Sequence, residues 1–291
     1  MLLRFRARLE DSPPPTVRPV SELTVHDFEQ ATFAHADTSR TVFRRGTGPA
    51  VIVMAELPGI TPAVLRFAGW VAELGCTAVV PHLFGVPGRH PGRNTVTAGA
   101  YVNSAFIPAC VSREFLVWAT HRTSPVVTWL RALAKAEHER CGGPGVGAVG
   151  MCFTGGYALA MATDRHLVAP VLSQPSMPVP LTPRQRAGID CSPDDLDIVR
   201  HRCVVEDLQV LGLRFKGDRS VPAERFEFLR RQLGDAFVAV ELEDSAANPA
   251  AVMRNPHSVL TEHLVDEPGS PTRAALEMVL DLFRTKLLLG G

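Results

Sequence analysis

Neither sign of charge prevails in this chain. Thirty Lys and Arg residues face thirty Asp and Glu, so no global field marks nucleic acid or an acidic membrane surface as a partner. No apolar run approaches the ~20 residues needed to span a bilayer. The start, Met1-Leu2-Leu3-Arg4-Phe5-Arg6, is too short in its apolar part for a signal segment and is interrupted by Arg. The cysteines at 76, 110, 141, 152, 191 and 203 form no CxxC pair and no metal-like spacing with His. Free thiols in a reducing, cytoplasmic compartment are therefore expected. Also missing are a GxxxxGK[ST] phosphate loop, an HExxH motif and a GxGxxG turn after a strand. Gly142-Gly143-Pro144-Gly145-Val146-Gly147 precedes a strand and reads as a turn. No metal and no organic cofactor are expected.

What remains is ordinary for a soluble globular chain, with 46% hydrophobic and 21% charged residues. Residues 1–22, rich in Pro and charge, predict a poorly ordered segment, and 23–291 a single domain. Val25 to Arg45 predicts a hairpin of two strands. Ala50-Val51-Ile52-Val53-Met54-Ala55 is an unbroken apolar run, as in strands buried on both faces of a parallel sheet. An alternation follows: helix over 62–74, strand 77–81, helix 126–140, strand 146–149, helix 152–163 and strand 167–172. Strand 210–215, helix 223–233, strand 237–242 and a closing helix over 272–288 complete it. This order predicts an α/β fold, a mostly parallel sheet with helices on both faces and an N-terminal antiparallel hairpin. Two long connections, 84–125 and 174–207, break the rhythm and read as irregular lids, binding loops or disordered segments.

Gly150-Met151-Cys152-Phe153-Thr154-Gly155-Gly156 is the most informative stretch. It joins a short apolar strand to a buried helix and puts a nucleophile at the apex, as in the nucleophile elbow of α/β-hydrolases. A thiol there needs a base, and the base needs an orienting group. Asp218, just after strand 210–215, and His257, in the loop before the last helix, follow in the order nucleophile, acid, His. An oxyanion needs preorganised N–H groups. Phe153 N–H is one candidate and Leu57 N–H the other, because Pro58 has none to give. Glu56, after a buried strand, is hard to explain as packing. The other five cysteines read as small buried hydrophobes. Read separately, Asp218 suits a turn or helix cap. His263 is expected at the surface, and His82 along the site without acting as base.

Together these residues resemble the dienelactone hydrolase family, over roughly 47–288. The pieces are Ala55-Glu56-Leu57-Pro58-Gly59, Val79-Val80-Pro81-His82-Leu83-Phe84-Gly85, the Cys152 elbow, the Gly217-Asp218 loop and the His257 loop. The resemblance implies an α/β-hydrolase fold and a Cys152–His257–Asp218 triad cleaving a small ester or lactone through a thioester. It also implies that Glu56 pairs with the resting thiol and shifts when substrate enters. Two features depart from the family pattern. Thr154 stands where the simple elbow motif has Gly. The family's lactonases also bind a substrate carboxylate with an Arg close after the His, whereas here none follows His257 before Arg273. Arg113 or Arg122, in the first long connection, are the substitutes. Two other readings keep the fold: a non-catalytic homologue that binds a small ligand in the same pocket, and a redox-sensing thiol.

Overall fold

The computed structural model describes residues 23–92, 94–111, 123–177 and 182–290. The 1–22 segment, Arg113 and Arg122 lie outside them. Among the described residues, eight strands form one sheet: β1 Glu29–His35, β2 Thr38–Arg45, β3 Ala50–Met54, β4 Thr77–Pro81, β5 Val146–Met151, β6 Leu167–Ser173, β7 Val210–Phe215 and β8 Phe237–Leu242. Their spatial order is β1-β2-β4-β3-β5-β6-β7-β8. β1 and β2 pair antiparallel, β2 lies antiparallel on β4, and every pair from β4 through β8 is parallel.

The apolar runs are unbroken because the sheet is covered twice. Ile52 and Met54 of β3 belong to one core, while Val51 and Val53 belong to the core on the opposite face. Alternate residues of a strand point to opposite faces, so burial on both sides requires an apolar residue at every position. The first core is closed by α3 (Pro125–Cys141) and α4 (Gly155–Met161), and the second by α1 (Pro62–Glu73) and α8 (Pro271–Phe283). The start of α1 follows capping chemistry: Thr61 Oγ1 accepts from Val64 N at 3.3 Å, and Pro62 takes the first helical position. The final helix is shorter than expected, with one π-turn over Arg284–Leu288.

The long connections differ from expectation, because each contains helix. α2 spans Thr95–Val111, α5 Pro183–Ala187 and α6 Pro193–Val205; α7, as expected, spans Ala223–Leu233. α6 docks through polar groups. Buried Arg202 donates to the carbonyls of Ala162 and Asp164 at 2.6 Å, and buried Asp195 pairs with Arg131 at 2.7 Å. A helix held in this way shows no apolar stripe to read. α2 carries Gly99, Pro108 and several β-branched residues, a composition with weak helix propensity.

Candidate active site

The elbow forms where β5 ends. Cys152 has φ +54°, a left-handed conformation that a non-glycine residue adopts only under constraint. The constraint is close packing. A Cβ on Gly150 would lie 2.1 Å from Thr154 O, and one on Gly155 would lie 2.5 Å from Pro175 Cα. The departure at Thr154 has a structural reason. Its buried hydroxyl accepts from Met151 N at 2.9 Å and lies 3.0 Å from both Met54 O and Met151 O, fastening the elbow to β3 and β5.

The chain brings Asp218 and His257 to the same end of the sheet. Asp218 follows β7, and its Oδ2 lies 2.6 Å from His257 Nδ1; its Oδ1 accepts from Ser220 N at 2.9 Å. The imidazole and the Cys152 side chain line the same cleft. Burial pulls the His257 pKa down. The negative charge of Cys152, together with the hydrogen bond to Asp218, outweighs it and carries the pKa well above its ordinary value. Cys152 Sγ meets a second group as well, Ser176 Oγ at 2.9 Å.

Glu56 sits elsewhere than the resemblance implies. It is 3% exposed, and its carboxylate accepts from Ser258 Oγ at 2.6 Å, from Gln174 Nε2 at 3.2 Å and from Thr261 Oγ1. Three donors satisfy a buried carboxylate better than an adjacent thiol, a weak donor whose ionisation would place two negative charges together. The carboxylate therefore grips the loop that carries His257. Gln174 closes the network by accepting from Val259 N at 3.2 Å.

His263 is a second correction, because it is 2% exposed and not at the surface. Its Nδ1 accepts from Ser258 N at 3.1 Å while Nε2 donates to Met253 O at 2.7 Å, which fixes the neutral tautomer. Burial lowers its pKa accordingly. His82 does not line the cleft; its Nε2 is bound to Gly85 O at 2.9 Å. Ser176, Gln174, Ser258 and Thr261 escaped the sequence reading. The signal available was position alone: two of them follow β6, and two follow His257 within four residues.

Cys152, His257, Asp218 and Glu56 share a cleft of about 710 Å³ with Leu57 and Phe153. Its walls include Met177, Val102, Met253 and Pro256, and charged Arg219 and Glu262 also border it. Phe153 lies in the 3-10 turn Cys152–Thr154 that opens the elbow helix. Leu57 N–H donates to no backbone carbonyl among the described residues. Leu57-Pro58 is a cis peptide, and the turn is closed by Gly59 N donating to Glu56 O at 2.7 Å. The remaining described cysteines fit the packing reading where burial acts on them. It pushes Cys76 and Cys203 up to about 11 and Cys191 well above its ordinary value. No cluster of three metal-ligating side chains occurs among the described residues, and no described helix is long and apolar enough to cross a membrane.

Several solved structures are similar in fold. A candidate dienelactone hydrolase from Klebsiella pneumoniae matches with TM-score 0.57 and 18% identity, over 88% of this chain and 97% of its own. The dienelactone hydrolase from Anabaena variabilis matches with TM-score 0.51 and 14% identity, over 89% and 99%. The thioesterase domain from the curacin biosynthetic pathway matches with TM-score 0.52 and 12% identity, over 87% and 99%. Identities this low speak for the α/β-hydrolase fold and nothing finer. Among curated protein sequences, none matches this chain. The dienelactone hydrolase family matches residues 38–185, from β2 through the elbow and into α5, which is just over half of the sequence. With the eight-stranded sheet and the elbow at the end of β5, this places the chain in the dienelactone hydrolase family of α/β-hydrolases.

Proposed function

We propose that this hydrolase cleaves a small carboxylic ester or lactone through a thioester on Cys152. The observation that carries the reading is the Asp218–His257 pair, at 2.6 Å, in one cleft with a thiol held at the apex of the elbow. His257 takes the Cys152 thiol proton, Sγ attacks the carbonyl carbon, and the displaced electron pair moves to the carbonyl oxygen. Leu57 and Phe153 N–H groups receive that oxyanion. The tetrahedral intermediate collapses, the C–O bond to the alcohol breaks, and His257 gives its proton to the departing oxygen. Water then attacks the thioester as His257 takes its proton, the C–S bond breaks, and His257 returns the proton to the sulfur, releasing the acid and restoring the thiol. Asp218 holds the imidazole tautomer and stabilises the imidazolium. No metal or organic cofactor enters this scheme, and the partner is a small molecule.

Glu56 acts in this reading as the anchor of the histidine loop and does not touch the reacting atoms. Thiol activation then needs no displacement of Glu56, because His257 is the base and the Glu56 carboxylate stays bound to Ser258, Thr261 and Gln174. The test is turnover of p-nitrophenyl acetate and a panel of lactones by wild type and Cys152→Ala. Loss of turnover in the variant, with the fold intact by circular dichroism, supports the reading; retained turnover removes it.

A further inference from the structure

Arg225, in the first turn of α7, is fully buried. Its position is costly twice over: a cation at a helix N-terminus opposes the helix dipole, and a desolvated charge calls for a counter-ion. Among the described residues no carboxylate lies within ion-pair distance of it. The guanidinium instead donates to four carbonyls: Gly188 at 2.6 Å, Pro175 and Ser220 at 2.8 Å, and Gln185 at 3.1 Å.

Two of these carbonyls sit in loops that carry wall residues of the site, Ser176 and Ser220. Pro175 precedes Ser176, whose Oγ touches Cys152 Sγ and whose N–H donates to Cys152 O at 2.9 Å. Ser220, on the other wall, donates its N–H to Asp218 Oδ1 at 2.9 Å. A single side chain therefore spans from the loop touching the nucleophile to the loop of the acid. The charged groups acting on it are Asp218, Cys152, Arg186 and Glu224, and the last two bond each other at 2.9 and 3.2 Å. Burial lowers the Arg225 pKa to about 10, with Asp218 and then Cys152 opposing the fall, so the cation persists at neutral pH. Around the thiol itself, the cleft also presents His257, Glu56, Glu262, His263 and Arg219.

We propose that Arg225 is a positioning residue that ties the Cys152 and Asp218 loops together and lends its buried charge to the Cys152 thiolate. The proposal rests on Cys152 being the nucleophile, and the experiment keeps the two apart. Alkylation of Cys152 by iodoacetamide is followed against pH by peptide mass in wild type, Arg225→Lys, Arg225→Met and Arg225→Gln, beside kcat and KM for p-nitrophenyl acetate. The neutral variants should raise the alkylation midpoint by about one pH unit, a tenfold loss of thiolate at pH below it. Arg225→Lys should keep the midpoint while lowering kcat with little change in KM, because an ammonium cannot reach four carbonyls. A midpoint unmoved in a folded neutral variant overturns the proposal. If the neutral variants do not fold, wild type decides. A buried cation escapes screening, so the midpoint should hold from low salt to about 1 M KCl, and a drift of a full unit overturns the proposal. A wild-type Cys152 that resists alkylation removes the nucleophile reading itself, whereas reaction with a profile indifferent to Arg225 removes this proposal alone.

Discussion

Replacing Glu56 separates an anchor from a switch. Its carboxylate carries three side-chain hydrogen bonds, two of them to residues within four positions of His257. A hydrogen bond to a charged group contributes about 1.5–3 kcal/mol and a neutral one about 0.5–1.5. Glu56→Gln keeps one carbonyl oxygen and presents an amide that the Ser258 or Thr261 hydroxyl can accept. It should therefore cost only about 1–2 kcal/mol, since a buried charge is removed with the weakened bonds. Glu56→Ala strands three buried donors and should cost about 3–5 kcal/mol, within the range of broken buried networks. Urea denaturation measures both. In the same preparations, Glu56→Gln should retain most of kcat and an unmoved Cys152 alkylation midpoint, while Glu56→Ala should lose kcat at least about tenfold as the His257 loop relaxes. A Glu56→Gln protein of near-native stability that loses turnover, or whose thiol midpoint moves by a unit, would refute the anchor and restore the switch.

Two further outcomes are expected. At pH 7.5, limiting iodoacetamide should modify Cys152 well before Cys76, Cys191 or Cys203, whose thiols burial keeps protonated; peptide mapping that finds Cys203 modified first would contradict this. Burial, with Glu56 adding to it, raises the Glu262 pKa above its ordinary 4.5. A raised carboxyl binds its proton more tightly folded than unfolded, so its contribution to stability declines as pH climbs from about 4.5 through the folded value. Glu262→Gln should thus gain stability over wild type between pH 4 and 7.5 in urea titrations, and a constant difference across that range would count against the shift.

The sheet could be read from the sequence because its strands are buried on both faces, leaving apolar runs such as Val51-Ile52-Val53 with nothing polar to confuse them. The elbow could be read because close approach at Gly150 and Gly155 leaves small residues in the text. Polar docking is what stayed hidden. α6 is held by Arg202 and Asp195, and its residues looked like a loop. His263 was expected at the surface because nothing local foretells that its ring will cap the Ser258 N–H and reach Met253 O. Glu56 stood out as a carboxylate hard to explain as packing, but its hydroxyl partners Ser258 and Thr261 lie about two hundred residues away and follow only from the fold. Arg225, one charged residue among many on α7, carried no signal at all until the carbonyls around it were in place.

The central claim is a covalent acyl intermediate on Cys152. Rapid acid quench of the protein mixed with p-nitrophenyl acetate, followed by intact-mass and peptide analysis, tests it most directly. The account predicts one acyl group, carried on the peptide containing Cys152 and accumulating when Asp218→Asn slows its hydrolysis. An acyl group found on another residue, or turnover that continues in Cys152→Ala, would contradict it.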